Sequence, residues 1–266
     1  MLKDITIGQF FPGNSVIHRM DPRMKIVLTL VYIIMLFVAS NYFGLLIGIL
    51  FLMVTYGISR IPPRMILKSL KPIIPIIVFT ALLNMFFVSG EPLVKFWVIT
   101  ISKEGVSLAI FMVIRIVCLI AGTSLMTYTT SPIALTDGIE RLLGPLKKIR
   151  FPAHELAMMM TIALRFIPTL IEETEKIMNA QKARGADLES GSLIQRAKAL
   201  IPILIPLFVS AFRRADDLAL AMECRCYRGG EGRTRMKILK LGLPDLFAAL
   251  FVIICFAGII VLNILL

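Results

Sequence analysis

Two arginines flanked by small residues, Ala183-Arg184-Gly185 and Cys224-Arg225-Cys226, end two amphipathic helical stretches and lie 41 residues apart. A guanidinium is a permanently charged planar fork that grips carboxylates through paired hydrogen bonds. At a helix tip, between neighbours too small to screen it, it is shaped to enter an acidic groove on another protein. The chemistry on offer is docking rather than catalysis. Arg184 also has a plain structural reading, because a cation near a helix C-terminus gains about 0.3–1 kcal/mol from the helix dipole and Gly185 can take the left-handed cap conformation. Cys224-Arg225-Cys226 lacks the cap glycine, so capping is expected to explain it less well.

The elements that carry these arginines belong to a membrane protein. Hydrophobic residues make up 58% of the 266 and the mean hydropathy is +0.86, outside the range of an ordinary soluble domain. Apolar runs predict four spans in the first half, Lys25 to Tyr42, Gly44 to Ser59, Pro72 to Ser89 and Val106 to Tyr128, and a fifth from Pro244 to Leu266. The expected fold is therefore all-α and polytopic, with about five transmembrane helices and a cytoplasmic coupling-helix segment between the fourth and fifth. Its expected divisions are a four-span membrane domain (1–128), a coupling domain (129–243) and a C-terminal transmembrane helix (244–266). No apolar leader core is evident near the start, where Pro12, Gly13, His18, Arg19, Asp21 and Pro22 interrupt.

Charge orients the spans. The net charge is +12, and 18 of the 29 Lys and Arg fall in 129–243, while the turn near Asn41 has none. The positive-inside rule then places the N-terminus and 129–243 in the cytoplasm and the C-terminus outside. Such a distribution speaks for a bilayer and against nucleic acid as the partner of the charge. Leu156 to Ile171 and Ala199 to Phe212 are apolar enough to resemble further spans. Crossing there would carry Lys176, Lys182, Arg184, Arg196 and Lys198 outside; as a span the first piece is also interrupted by Arg165 and Pro168, and the second is about 14 residues long with Pro202 and Pro206 inside it. Both pieces are therefore expected as amphipathic helices at or under the membrane.

Their apolar positions recur at three- and four-residue spacing. One stripe includes Leu156, Met160, Ile167 and Leu170, with Glu172, Glu173, Glu175 and Lys176 on the opposite side; the other includes Ile201, Leu204, Ile205, Phe208 and Phe212. Each stripe needs a partner. Arg213 is placed to pair with Asp217 one turn on, and Ser131 with Pro132 predicts a shorter helix over 132–143.

Other constellations are weaker. His154-Glu155 begins like a zinc-protease motif, but position 158 is Met rather than His. Asp216-Asp217 is similar to one half of the aspartate-rich pairs of membrane prenyltransferases, and no second cluster accompanies it. Cys118, Cys224, Cys226 and Cys255 lack zinc spacing and read as reduced thiols. Arg115, inside the fourth span, is expected to face other helices, a polar cavity or a partner.

The stretch Phe11-Pro12-Gly13-Asn14-Ser15, the run His18-Arg19-Met20-Asp21-Pro22-Arg23-Met24-Lys25, Leu164-Arg165-Phe166-Ile167-Pro168 and the two X-Arg-X motifs together resemble, over essentially the full chain, the transmembrane coupling subunit (T component) of energy-coupling factor importers. Members carry two short motifs, usually Ala-Arg-Gly, at coupling-helix ends. Ala183-Arg184-Gly185 matches in full, whereas Cys224-Arg225-Cys226 departs at both flanks with residues nearly as small. The resemblance implies a non-catalytic subunit in the cell membrane, with ATP and Mg²⁺ held by two ABC-type ATPase partners that receive Arg184 and Arg225. It further implies a small membrane-embedded substrate-binding partner, against which Met158, Met159, Met160, Ile167, Leu204, Phe208 and Phe212 would pack. Methionine suits such a face because its thioether repacks easily. Vitamin uptake is the implied task, with a dedicated cobalt or nickel importer as one alternative and, from a different class, a self-contained membrane enzyme such as a prenyltransferase, or a secondary carrier, as another.

Overall fold

The computed structural model describes residues 10–96, 99–145, 151–186, 192–230 and 239–265. Its helices are α1 (Val16–Arg19), α2 (Pro22–Val38), α3 (Tyr42–Ser59), α4 (Pro63–Leu70), α5 (Ile74–Phe87), α6 (Lys103–Thr129), α7 (Pro132–Leu143), α8 (Ala153–Ala183), α9 (Leu193–Cys224) and α10 (Leu243–Leu265). Among the described residues the other regular elements are 3₁₀ turns at Lys71–Ile73 and at 144–145 and a short antiparallel hairpin, β1 (Pro92–Phe96) with β2 (Ile99–Ser102). The chain divides into two units. One takes in Gln9–Gly138 and Ile238–Leu266, the other Ile139–Lys237, and the boundary falls inside α7.

Local chemistry sets the helix starts. Asp21 caps α2 by accepting the Arg23 N–H, with Pro22 at the first helical position, and Ser102 caps α6 by accepting from Gly105. Ser192 and Gln195 form a reciprocal capping box at α9. The Phe11–Ser15 stretch is also fixed. Ser15 caps α1, the two His18 ring nitrogens meet the Ser15 hydroxyl at 2.7 Å and the Phe11 carbonyl at 3.0 Å, and the Phe11 N–H donates to Tyr128. Gly13 lies so close to the His18 ring that an added Cβ would stand 2.8 Å from it.

In the first unit α2 is central, packed by α3, α6 and α10. Tyr32, Met35 and Leu36 of α2, with its C-cap Ala39, are buried against Leu45 and Leu52 of α3, Phe111, Cys118 and Ala121 of α6, and Ile259 of α10. Small residues let these helices approach closely, as expected where packing rather than water drives association. Gly122 of α6 lies under the Tyr32 ring, which a Cβ would strike, and Tyr32 cannot yield freely because it stacks on Phe51 at 5.2 Å. Gly122→Ala is accordingly expected to cost roughly 1–3 kcal/mol, read as a lower unfolding temperature in detergent. Arg115 faces the end of α2, where it donates to the Ala39 carbonyl at 2.5 Å and lies 6.0 Å from the Phe37 ring centroid, while Phe111 of its own helix lies 4.6 Å away under the guanidinium.

Among the described residues, six helical stretches are long and apolar enough to cross a membrane: Tyr42–Ser59, Pro63–Phe87, Lys103–Thr129, Ala153–Ala183, Ile194–Cys224 and Leu243–Leu265. The class is as expected, but the count is six rather than five and its members differ. At 17 residues α2 falls just short of this length. The additions are α8 and α9, which continue through Pro168, Pro202 and Pro206 instead of breaking there. Proline normally strands the carbonyl four residues earlier. Pro206 strands that of Pro202, and Gln181 on α8 donates its side-chain N–H to that oxygen at 3.3 Å. Tertiary pairing has repaired the local fault. Leu266, Lys147, Lys148, Arg150, Arg233, Arg235 and Lys237, counted in the expected span or cytoplasmic charge, lie outside the described residues.

Candidate functional site

In the second unit α8 and α9 pack side by side. Glu173 accepts from the Ser210 hydroxyl and, at 2.8 Å, from Arg214, while Gln181 reaches Pro202. Rising numbers on one helix meet falling numbers on the other, so the pair is antiparallel. The 181-to-202 register sets Arg184 level with position 199, leaving 26 residues of α9 before Arg225. At 1.5 Å per residue the two arginines are about 40 Å apart along the pair. They occupy opposite ends and cannot serve one binding site.

Both ends are built alike. At α8, Arg184 is the C-cap, Gly185 is left-handed at φ +85°, Gly185 N–H bonds Lys182 and Ala186 N–H bonds Gln181. At α9, Arg225 is the C-cap, Cys226 is left-handed at φ +55°, Cys226 N–H bonds Glu223 and Tyr227 N–H bonds Met222. Each is a Schellman cap, closing the last carbonyls with the same two bonds. This corrects the expectation that Cys224-Arg225-Cys226 owes less to capping, since Cys226 takes the role that glycine plays at 185. Ala183, Arg184, Gly185, Cys224, Arg225 and Cys226 are all exposed, and the cap turns each arginine out at a rigid helix end. A side chain in the left-handed region costs of order 1–2 kcal/mol. Cys226→Gly is expected to recover about 1 kcal/mol, raising the thermal midpoint by a few degrees, with no new contact formed.

The residues expected to pack on a partner divide. Leu204, Phe208 and Phe212 fall on one face of α9 and are 45%, 59% and 69% exposed. The α9 positions turned inward are instead Ile203, Leu207, Ser210, Arg214 and Leu218, a face offset from the predicted stripe. On α8, Met159 is exposed, while Met158, Met160 and Ile167 are half-buried within the chain. Sequence reasoning missed the Glu173, Ser210 and Arg214 link and expected Glu173 on the outer face. Arg213 and Asp217 make no ion pair among the described residues, and it is Arg214 that reaches across. The signal for the link was the polar set Gln181, Ser210 and Arg214 on otherwise apolar faces. His154 is paired with Glu140 at 2.9 Å, and the four cysteines are free thiols.

Apolar helices of this length define a multi-pass membrane protein, here with a paired-helix unit that ends in exposed cationic caps. The family described as cobalt transport protein matches residues 13–237. Over 259 residues, and 96% of each chain, the sequence is 57% identical to the energy-coupling factor transporter transmembrane protein EcfT of Clostridium kluyveri. It is 53% identical over 263 residues to that of Ruminiclostridium cellulolyticum, covering 99% of this chain and 98% of the relative. It is 45% identical over 254 residues to that of Lactococcus lactis, covering 95% and 96%. The chain belongs to the EcfT/CbiQ family of energy-coupling factor transporter transmembrane proteins.

Proposed function

We propose that this subunit transmits ATP-driven motion from two ABC-type ATPase subunits to a small membrane-embedded substrate-binding subunit, for uptake of a vitamin or similar micronutrient. The observation that carries the reading is the pair of matching arginine-bearing caps at opposite ends of α8 and α9. Two separated and equivalent tips fit two equivalent grooves, one per ATPase, each gripping Arg184 or Arg225 through carboxylates. ATP and Mg²⁺ are held on those partners. The uncovered Leu204, Phe208 and Phe212 face, with Met159, packs against the substrate-binding subunit. Movement of the tips turns the α8–α9 pair as a body, held together by the Glu173, Arg214 and Gln181 bonds, and tips that subunit between its two orientations. In this reading 129–243 and the N-terminus are cytoplasmic, and α8 and α9 lie along the membrane instead of crossing it.

The test is to purify the tagged chain, expressed at native level, from its own membranes in mild detergent and to identify what accompanies it by mass spectrometry. Two ATPase chains with one or more small hydrophobic proteins are expected. A chain that purifies alone, under conditions that preserve other membrane complexes, overturns the reading. The family description names cobalt, so a metal ion is the second candidate cargo, and the identity of the small partner decides between them.

A further inference from the structure

A groove of about 500 Å³ opens between α2, α3, α6 and α10, and its use is separate from the docking tips. On α2 it runs from Lys25 to Tyr32, about 10 Å of helix, while α6 descends alongside from Thr129 to Gly122. The far end carries an aromatic stack, in which Tyr32 lies on Phe51 at 5.2 Å and Phe51 on Phe251 at 5.5 Å. The walls are almost wholly apolar.

The near end is cationic. Lys25 lines the groove, is 6% exposed, and donates to the His18 and Thr129 carbonyls at 3.2 and 2.8 Å, with no carboxylate in ion-pair range among the described residues. Asp245 attracts it through space and offsets one positive charge while its two oxygens accept the N–H groups of Asp21 and Gly242. Asp21 is engaged by Arg23. Arg19 adjoins the lining residue Met20, and Lys240 precedes the lining residue Leu243 by three positions; both are exposed. An apolar slot with two exposed cations near one end, Arg19 and Lys240, beyond those that Asp21 and Asp245 offset, complements one molecule abundant around a membrane helix.

We propose that the groove binds an anionic phospholipid, with one acyl chain lying against the Tyr32, Phe51 and Phe251 stack and the phosphate beside Lys25, Arg19 and Lys240. The acyl chain covers apolar wall that the protein leaves open, and the headgroup supplies the missing negative charge. The inference needs only that the chain resides in a membrane and stands or falls apart from the coupling role.

The experiment compares wild type with Ala248→Trp, which fills the groove, and Lys25→Met, which removes the charge. Each full chain is purified in mild detergent, exchanged extensively, and its retained lipid quantified by mass spectrometry against the lipid composition of the source membrane. Wild type is expected to retain about one phospholipid per chain, with phosphatidylglycerol enriched about tenfold over phosphatidylethanolamine. Ala248→Trp should lose the lipid while eluting as a single folded species. Lys25→Met should keep a lipid but lose the anionic preference; since Lys25 also ties His18 to Thr129, Arg19→Gln with Lys240→Gln provides the same reading without touching a buried group. Retention at the bulk membrane composition, no retained lipid in wild type, or equal retention in Ala248→Trp overturns the proposal.

Discussion

Replacing both Arg184 and Arg225 with glutamate is expected to abolish ATPase association and uptake, whereas either replacement alone leaves a weakened but detectable complex. The asymmetry follows from geometry. The tips stand about 40 Å apart at opposite ends of an antiparallel pair, so each can be lost without disturbing the other. If the ATPases associate with one another, the intact tip still holds both at a high effective concentration. A desolvated charge pair at an interface typically costs 2–5 kcal/mol when one partner is removed, a factor of about 30 or more in affinity for each tip. Glutamate adds repulsion in an acidic groove and is unfavourable at a helix C-terminus, so the neutral pair Arg184→Gln and Arg225→Gln isolates docking from capping. Were the arginines only caps, the glutamine pair would lose a few tenths to about 1 kcal/mol of stability per site and still assemble. Wild-type co-purification and uptake in both double variants would refute the docking role.

The membrane class, the helix positions and the two arginine tips were all legible because each leaves a local trace: long apolar runs, glycine or small residues past a helix end, a clustered positive segment. What could not be read depended on partners distant in sequence. Pro206 carries the signature of a helix break, and only Gln181, on another helix, shows where the carbonyl it strands finds a donor. Cys226 looks unlike glycine yet adopts the same backbone conformation, because a fold can hold a non-glycine residue in the left-handed region when the surrounding cap dictates it. The apolar periodicity of α9 was real, but periodicity cannot say whether a stripe meets its own chain or remains uncovered. Leu204, Phe208 and Phe212 proved to be on the uncovered side, and Arg214 rather than Arg213 made the cross-helix contact.

Asp245 left no sequence signal at all, and its loss should be the most damaging single change in the first unit. Its carboxylate is 4% exposed and accepts the Asp21 N–H at 2.9 Å and the Gly242 N–H at 2.7 Å, tying the start of α10 to the start of α2 across 224 positions. Hydrogen bonds to a charged group contribute about 1.5–3 kcal/mol each, and a buried donor left without a partner costs about as much as the bond. Asp245→Ala strands the buried Asp21 N–H, leaves the N–H of the exposed Gly242 to water, and removes the carboxylate that attracts Lys25. About 3 kcal/mol is expected, a drop of roughly 6–12 °C in unfolding temperature for a chain of this size. Asp245→Asn keeps one acceptor oxygen and loses the charge, so it should fall between alanine and wild type. The damage should be to folding alone: at a temperature where Asp245→Asn remains folded, the proposed ATPase partners should co-purify at the wild-type ratio, because Arg184 and Arg225 sit in the other unit. An Asp245→Ala chain that melts within a degree of wild type would show that the α2–α10 tie carries no weight.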